Sequence, residues 1–211
     1  MRREELASHI DHTILGPAVT SESVTEVVAD ALEHGMNACV PPAHVADVSE
    51  AYPDLTLVTV VDFPHGNAPP SVRQTAAEVA WHDGADEVDV VCPVGRLLSD
   101  DVSGLEADLA ELVATVPIPV KLIVEAPLLS ESQLRRVCEI AVEVDVDLLK
   151  TATGFAGGAT TDDVAVMAEY LPVKASGGIS SYDEAMAMLE SGATRIGASS
   201  GVEILAGAPE E

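Results

Sequence analysis

The sequence predicts a single-domain α/β fold, a TIM (β/α)8 barrel spanning residues 1–211. Three observations carry that expectation. Short runs rich in Val, Ile and Thr alternate with amphipathic segments, the pattern of repeated βα units. Eight such runs occur at a mean spacing of about 26 residues, which suits closure into an eight-stranded ring. The glycine-rich turns fall late, after the seventh and eighth runs. An open dinucleotide-binding sheet would instead carry GxGxxG after its first strand, and no such motif stands there.

The expected strands are 10–15 (IDHTIL), 37–40 (NACV), 55–61 (LTLVTVV), 87–91 (EVDVV), 120–126 (VKLIVEA), 147–151 (DLLKT), 173–176 (VKAS) and 195–199 (RIGAS). Helices are expected between them at 21–34, 42–51, 70–83, 103–115, 131–144, 161–170 and 181–191, with a short helical turn at 201–206. Thr20 and Ser21 supply a cap for the first helix, and Gly35, Gly84 and Gly192 follow expected helix ends. Pro117 and Pro119 break the chain just before a strand, where a missing amide is tolerated. No low-complexity stretch or linker divides the chain.

Composition bounds the function. Aromatic residues make up only 3%, so the core must be built from Val, Ala, Leu and Ile. No apolar run reaches the roughly 18–20 residues that span a bilayer. The start, MRREELASHIDHT, has no apolar segment behind its basic residues, so a cytosolic protein is expected. The net charge of -26 excludes nucleic acid and anionic membrane as partners, because both need a basic footprint. The acidic charge is spread through the helices (SESVTEVVADALE, EADLAELV) rather than held in a tail, as expected of a protein working in concentrated salt. Cys39, Cys92 and Cys138 are odd in number and widely spaced, which argues against a disulfide framework or a zinc site. His9 and His12, three residues apart, read as locally hydrogen-bonded side chains, so no metal is expected.

Against 36 acidic residues there are only three lysines: Lys121 in VKLIVEA, Lys150 in DLLKTATG and Lys174 in LPVKASGG. Lysine is ordinarily a solvated surface residue. Its confinement to apolar strands points to an amine needed inside a site, and the chemistry that needs a buried amine is Schiff-base formation with a carbonyl. Lys150 leads as nucleophile, since it ends its strand and precedes the small, glycine-rich turn TATGFAGGAT. Lys174 lies one strand on, and neighbouring strands are about 4.8 Å apart. An ordinary lysine is only about 0.04% neutral at pH 7, and bringing its pKa near 7 takes about 4.6 kcal/mol. A like charge about 5 Å away at an effective dielectric near 20 supplies about 3 kcal/mol of that.

In this fold the strand ends converge on one face. They present Asp11 and Thr13, Cys39, the FPHG turn at 63–66, Asp89, Lys121 and Glu125, Lys150 with Thr151, Lys174, then Gly197 and Ser199. Asp89 points either inward with Glu87 and Val91 or outward with the alternate residues, and periodicity leaves this open. If inward, it holds an ammonium or relays a proton through water. Lys121 reads as a partner in that charge cluster, and Glu125 as support. Gly177–Gly178 and the Gly197–Gly201 segment form two adjacent loops whose amides and hydroxyls suit a phosphate.

These stretches together resemble the deoxyribose-phosphate aldolase family. The matching segments are IDHTIL, ACVPP, VVDFPHG, GADEVDVV, KLIVEA, LLKTATGFAGGAT, KASGGI and RIGASSG, in the family's order over nearly the whole chain. The resemblance implies a class I aldolase that cleaves 2-deoxy-D-ribose 5-phosphate reversibly to D-glyceraldehyde 3-phosphate and acetaldehyde, with no metal or organic cofactor. By position in those motifs, Lys150 is the Schiff-base lysine, Lys174 its activating neighbour and Asp89 the proton relay. Asp11, Thr13, Cys39, Lys121 and Thr151 line the substrate pocket, and Gly157, Gly177, Gly178, Gly197, Ser199 and Ser200 hold the phosphate. The resemblance also implies a homo-oligomer. Three departures stand out: Phe155 where bacterial members often carry lysine, Glu125-Ala126-Pro127 in place of Glu-Thr-Gly, and a tail without the terminal tyrosine some members use. A ketose-phosphate aldolase on the same fold, or a silent phosphate-binding barrel, are the rival readings.

Overall fold

The computed structural model describes residues 1–209 and closes eight parallel strands into one barrel in sequence order, β1 pairing with both β2 and β8. The strands are β1 (Ile10–Thr13), β2 (Asn37–Cys39), β3 (Leu57–Val61), β4 (Glu87–Val91), β5 (Val120–Ile123), β6 (Leu148–Lys150), β7 (Val173–Ser176) and β8 (Ala193–Ala198). The helices are α1 (Arg3–Ala7), α2 (Ser21–His34), α3 (Val45–Ala51), α4 (Pro70–His82), α5 (Val94–Leu98), α6 (Val102–Val113), α7 (Glu131–Glu143), α8 (Thr161–Met167), α9 (Tyr182–Glu190) and α10 (Gly201–Ala206). No described helix is long and apolar enough to cross a membrane.

Local chemistry starts and stops these elements. Thr20 caps α2 through a reciprocal bond pair with Ser23, and Ser130–Gln133 and Ser181–Glu184 repeat the device at α7 and α9. Gly35 ends α2 in the left-handed region at φ 74°, which a side chain would disfavour. β3, covered on both sides, is fully buried and apolar but for Thr59, whose hydroxyl donates to the Val40 carbonyl at 2.8 Å. The shell between strands and helices is aliphatic, with Val88, Val90 and Leu122 facing Leu105, Leu109, Leu134 and Val137 in one cluster.

Several boundaries differ from expectation. Residues 42–51 divide into a 3-10 turn at Pro42–His44 followed by α3 at Val45–Ala51. The fifth strand stops at Ile123, since Glu125 turns into the left-handed region at φ 54° and a 3-10 turn follows at Ala126–Leu128. The first strand ends at Thr13 rather than residue 15, and the eighth begins at Ala193 rather than residue 195. Two short helices, α1 and α5, were not expected; each has five residues and lacks a side-chain cap.

Register fixes which residues face the barrel axis. Asp89 is paired with Val60 on one side and Lys121 on the other, and Lys150 is paired with Lys174. Asp11 stands beside Gly197, and Lys174 beside Arg195. Charged side chains therefore fill the axis from β4 round to β1. The β2–β3 side is apolar, with Cys39, Val58 and Val60 forming a small separate cluster against Leu15 and Phe63.

Candidate active site

At the C-terminal mouth of the barrel lies a cleft of 190 Å3. Its lining is polar or small at Thr13, Ser176, Gly177, Gly197 and Ser199 and apolar at Leu15, Phe63, Ala152 and Phe155. The rings of Phe63 and Phe155 meet edge to face, with centroids 5.6 Å apart. Of the three lysines, Lys150 alone lines this cleft, and it is 4% exposed while Lys121 and Lys174 are fully enclosed.

Beneath the cleft Asp89 is the hub. Its Oδ2 accepts from Lys150 Nζ at 2.9 Å and from Lys174 Nζ at 2.8 Å, while its Oδ1 accepts from Lys121 Nζ at 2.8 Å. The carboxylate thus faces inward with Glu87, which resolves the ambiguity that alternation left. Lys150 and Lys174 are neighbours, but they share a carboxylate oxygen rather than facing each other bare. Lys174 also reaches Asp11 Oδ2 at 2.5 Å, and Asn37 Nδ2 donates to Asp11 Oδ1 at 2.9 Å. Lys121 reaches Glu87 at 2.6 Å, and Glu87 in turn accepts from Arg195.

Burial works against ionising Asp89, but the ammonium groups of Lys121, Lys150 and Lys174 outweigh it and hold the carboxyl well below its usual range. Burial opposes charge on Asp11 too, and Lys174, with Lys121 and Arg195, again prevails. Burial disfavours the Lys174 ammonium, yet Asp11 and Asp89 raise its pKa, so this side chain stays cationic. The Cys39 thiol is pushed up by burial and stays protonated, packed beside the cluster without lining the cleft.

The remaining predicted residues surround this core. Thr13 lines the cleft and donates to the Asp11 carbonyl at 2.8 Å. Thr151 is buried and uses its hydroxyl to bridge β6 and β7, donating to the Ser176 carbonyl at 3.0 Å and accepting from the Ser176 amide at 2.9 Å. Gly177 and Gly157 bring two loops into backbone contact, so that a methyl on Gly177 would lie 3.1 Å from the Gly157 carbonyl. A methyl on Gly197 would meet Lys174 Cε at 2.7 Å, so glycine there leaves room for the lysine stem. Gly197 and Ser199 line the cleft, whereas Gly178, Ser200 and Gly157 stand just outside its lining. Glu125 is buried and accepts from the Thr153 amide, fixing the loop after β6.

The sequence brought Phe63 forward only as part of the FPHG turn, and it did not single out Ser176 or Thr153 in the lining, nor Arg195 and Asn37 in the charge cluster. VVDFPHG carried Phe63 in view, and KASGGI carried Ser176, but neither offered a signal beyond proximity to a strand end. Among the described residues no group of three or more His, Cys, Asp or Glu is placed to hold a metal ion.

Comparison with known proteins agrees with this geometry. The profile of the DeoC/LacD family aldolases matches residues 6–207. A deoxyribose-phosphate aldolase of Haloquadratum walsbyi is 53% identical over 215 residues, covering 100% of this chain and 98% of that one. Its counterpart from Halobacterium salinarum is 52% identical, covering 98% of each chain. Among solved structures, a tetrameric deoxyribose phosphate aldolase from Aeropyrum pernix superposes with a TM-score of 0.90 at 32% identity, covering 97% of this chain and 91% of that one. A barrel with three lysines gathered on one buried aspartate, matched end to end in this way, belongs to the DeoC/LacD aldolase family.

Proposed function

We propose that this chain is a class I aldolase that reversibly cleaves 2-deoxy-D-ribose 5-phosphate to D-glyceraldehyde 3-phosphate and acetaldehyde. The observation that carries the reading is that Lys150 alone among the lysines reaches the cleft, with Lys174 charged beneath it. The names of the relatives from Haloquadratum walsbyi and Halobacterium salinarum supply the substrate.

In this mechanism the neutral Lys150 amine attacks the C1 aldehyde of the open-chain sugar, and the carbinolamine loses water to give an iminium. The C3 hydroxyl gives up its proton and the C2–C3 bond breaks. Its electrons pass to the C1–N system, releasing glyceraldehyde 3-phosphate and leaving an enamine. Protonation at C2 and hydrolysis return acetaldehyde and free Lys150. Lys174 supplies a fixed positive charge that favours the neutral amine before attack. Asp89 orients Lys150 and balances the iminium. Asp89, hydrogen-bonded to Lys150 and Lys174, relays protons to the substrate through water, and the hydroxyls of Thr13, Thr153, Ser176 and Ser199 belong to the cleft where that water would stand. The phosphate is held by the amides and hydroxyls of Gly177, Gly178, Gly197, Ser199 and Ser200. Cys39 shapes the apolar side, while Asp11 and Lys121 hold the cluster and Thr151 and Gly157 hold the loops. The same reading makes the protein a cytosolic homo-oligomer, supported by the tetrameric Aeropyrum pernix relative.

Side-by-side assay of deoxyribose 5-phosphate and fructose phosphates tests the substrate. Turnover of the deoxy sugar alone is expected, and preference for a ketose phosphate would overturn the assignment. Lys150→Arg keeps positive charge but cannot form an imine, so its turnover is expected to be abolished. Appreciable remaining activity would contradict the role of Lys150.

A further inference from the structure

The contacts inside the barrel form a closed circuit. Asp11 pairs with Lys174, Lys174 with Asp89, Asp89 with Lys121, Lys121 with Glu87, Glu87 with Arg195, and Arg195 returns to Asp11 at 3.8 Å. The six charges alternate in sign and cancel. Lys150 hangs on Asp89 as a seventh charge outside the circuit. Lys121 and Lys174 each contact two carboxylates, whereas Lys150 contacts one and shares its oxygen with Lys174.

We propose that Glu87 and Arg195 are positioning residues that close this neutral ring, making Lys150 the one ammonium whose proton can leave without unbalancing the barrel interior. The proposal rests on the aldolase reading and deepens it, since it says why this amine rather than the other two is released for attack. Loss of a proton from Lys121 or Lys174 opens the ring and takes a cation from two carboxylates at once; loss from Lys150 leaves every ring charge paired. The other groups facing Lys150 do not disturb the count. Cys39 from β2 is a buried thiol, Val58 and Val60 from β3 are apolar, and Glu125 after β5 is committed to the Thr153 amide. Neither Glu87 nor Arg195 lines the cleft or contacts Lys150. Their influence is therefore electrostatic, and its sign is set by which charge is removed.

The test is borohydride trapping of the acetaldehyde adduct on Lys150 across pH, at one fixed molar salt concentration. Glu87→Gln leaves the ring with a surplus positive charge, which disfavours the ammonium and moves the trapping midpoint to lower pH. Arg195→Met leaves a surplus negative charge and moves it to higher pH. A unit charge roughly 10 Å away at an effective dielectric near 20 gives shifts of about one pH unit. The double variant removes both charges and is expected to return within a few tenths of a unit of wild type. Asp11→Asn, at another point of the ring, is expected to shift like Glu87→Gln and serves if a single variant does not fold. Shifts of the same sign in Glu87→Gln and Arg195→Met, or none in Asp11→Asn and a displaced double variant, would overturn the ring. Wild-type protein that traps no adduct on Lys150 would overturn the aldolase reading itself, a separate result.

Discussion

Lys174 shows how a buried charge is sustained. Taken from water it would tend to lose its proton, but two carboxylates within 2.8 Å reverse that tendency. Its role in the proposed chemistry is to remain charged while Lys150 does not. Lys174→Leu removes that charge and leaves Asp89 with two ammonium partners instead of three. The basic limb of adduct formation on Lys150 is then expected to move to higher pH, with turnover reduced at neutrality. An unchanged pH profile in a folded variant would refute charge coupling. At this scale the sequence was informative because composition had nearly eliminated lysine elsewhere, so three embedded lysines stood out. Glu87 and Arg195 did not stand out. Alternation left the inward face of β4 undecided, and an arginine near the start of β8 resembles any strand-edge cation until register places it beside Lys174.

Elements hold these side chains in place through contacts far from the cleft. Arg73, buried in α4, donates to the Val91 carbonyl at the end of β4 at 2.7 Å and pairs with Asp108 of α6. It also approaches Asp62 after β3 at 3.5 Å, so one guanidinium joins two strand ends to two helices. Arg73→Met strands the buried Asp108 and is expected to cost about 3–5 kcal/mol of stability. Urea unfolding at fixed molar salt checks this, and a loss under about 1 kcal/mol would show that the helices dock without the pair. The regular helices were legible because caps and apolar spacing coincide, as at Thr20. The short α5 was not, because five residues carry too little periodicity to register and its start has no cap. The stop of β5 at Ile123 depends on a left-handed turn at Glu125 that serves the Thr153 loop, a tertiary requirement invisible in VKLIVEA.

The whole molecule separates its charges by location. Four of its ten cationic side chains project into the barrel, where Asp11, Glu87 and Asp89 offset three of them, so essentially the whole net charge of -26 falls on the outer surface. Such a surface repels itself in dilute buffer and is screened by salt. Thermal midpoint and activity are both expected to rise from dilute buffer into molar potassium chloride, in keeping with relatives from Haloquadratum and Halobacterium. A flat or falling response would contradict that reading. The interior predicts pH behaviour as well. Asp11 and Asp89 have lowered folded-state pKa values, so their stabilisation is complete above the unfolded value near pH 3.9 and is lost as pH falls through the folded values. Lys174 is raised, so its contribution is complete below about pH 10.4 and declines only above it. The barrel itself was legible from the count of βα units, since eight alternations leave few other closures.

One amine of three is released for covalent chemistry in this barrel. Treating the protein with deoxyribose 5-phosphate and borohydride, then mapping the modified peptide by mass, tests it most directly. A single reduced adduct on Lys150, with Lys121 and Lys174 unmodified, is the predicted result. An adduct on Lys174 or Lys121, or none on any lysine, would contradict it.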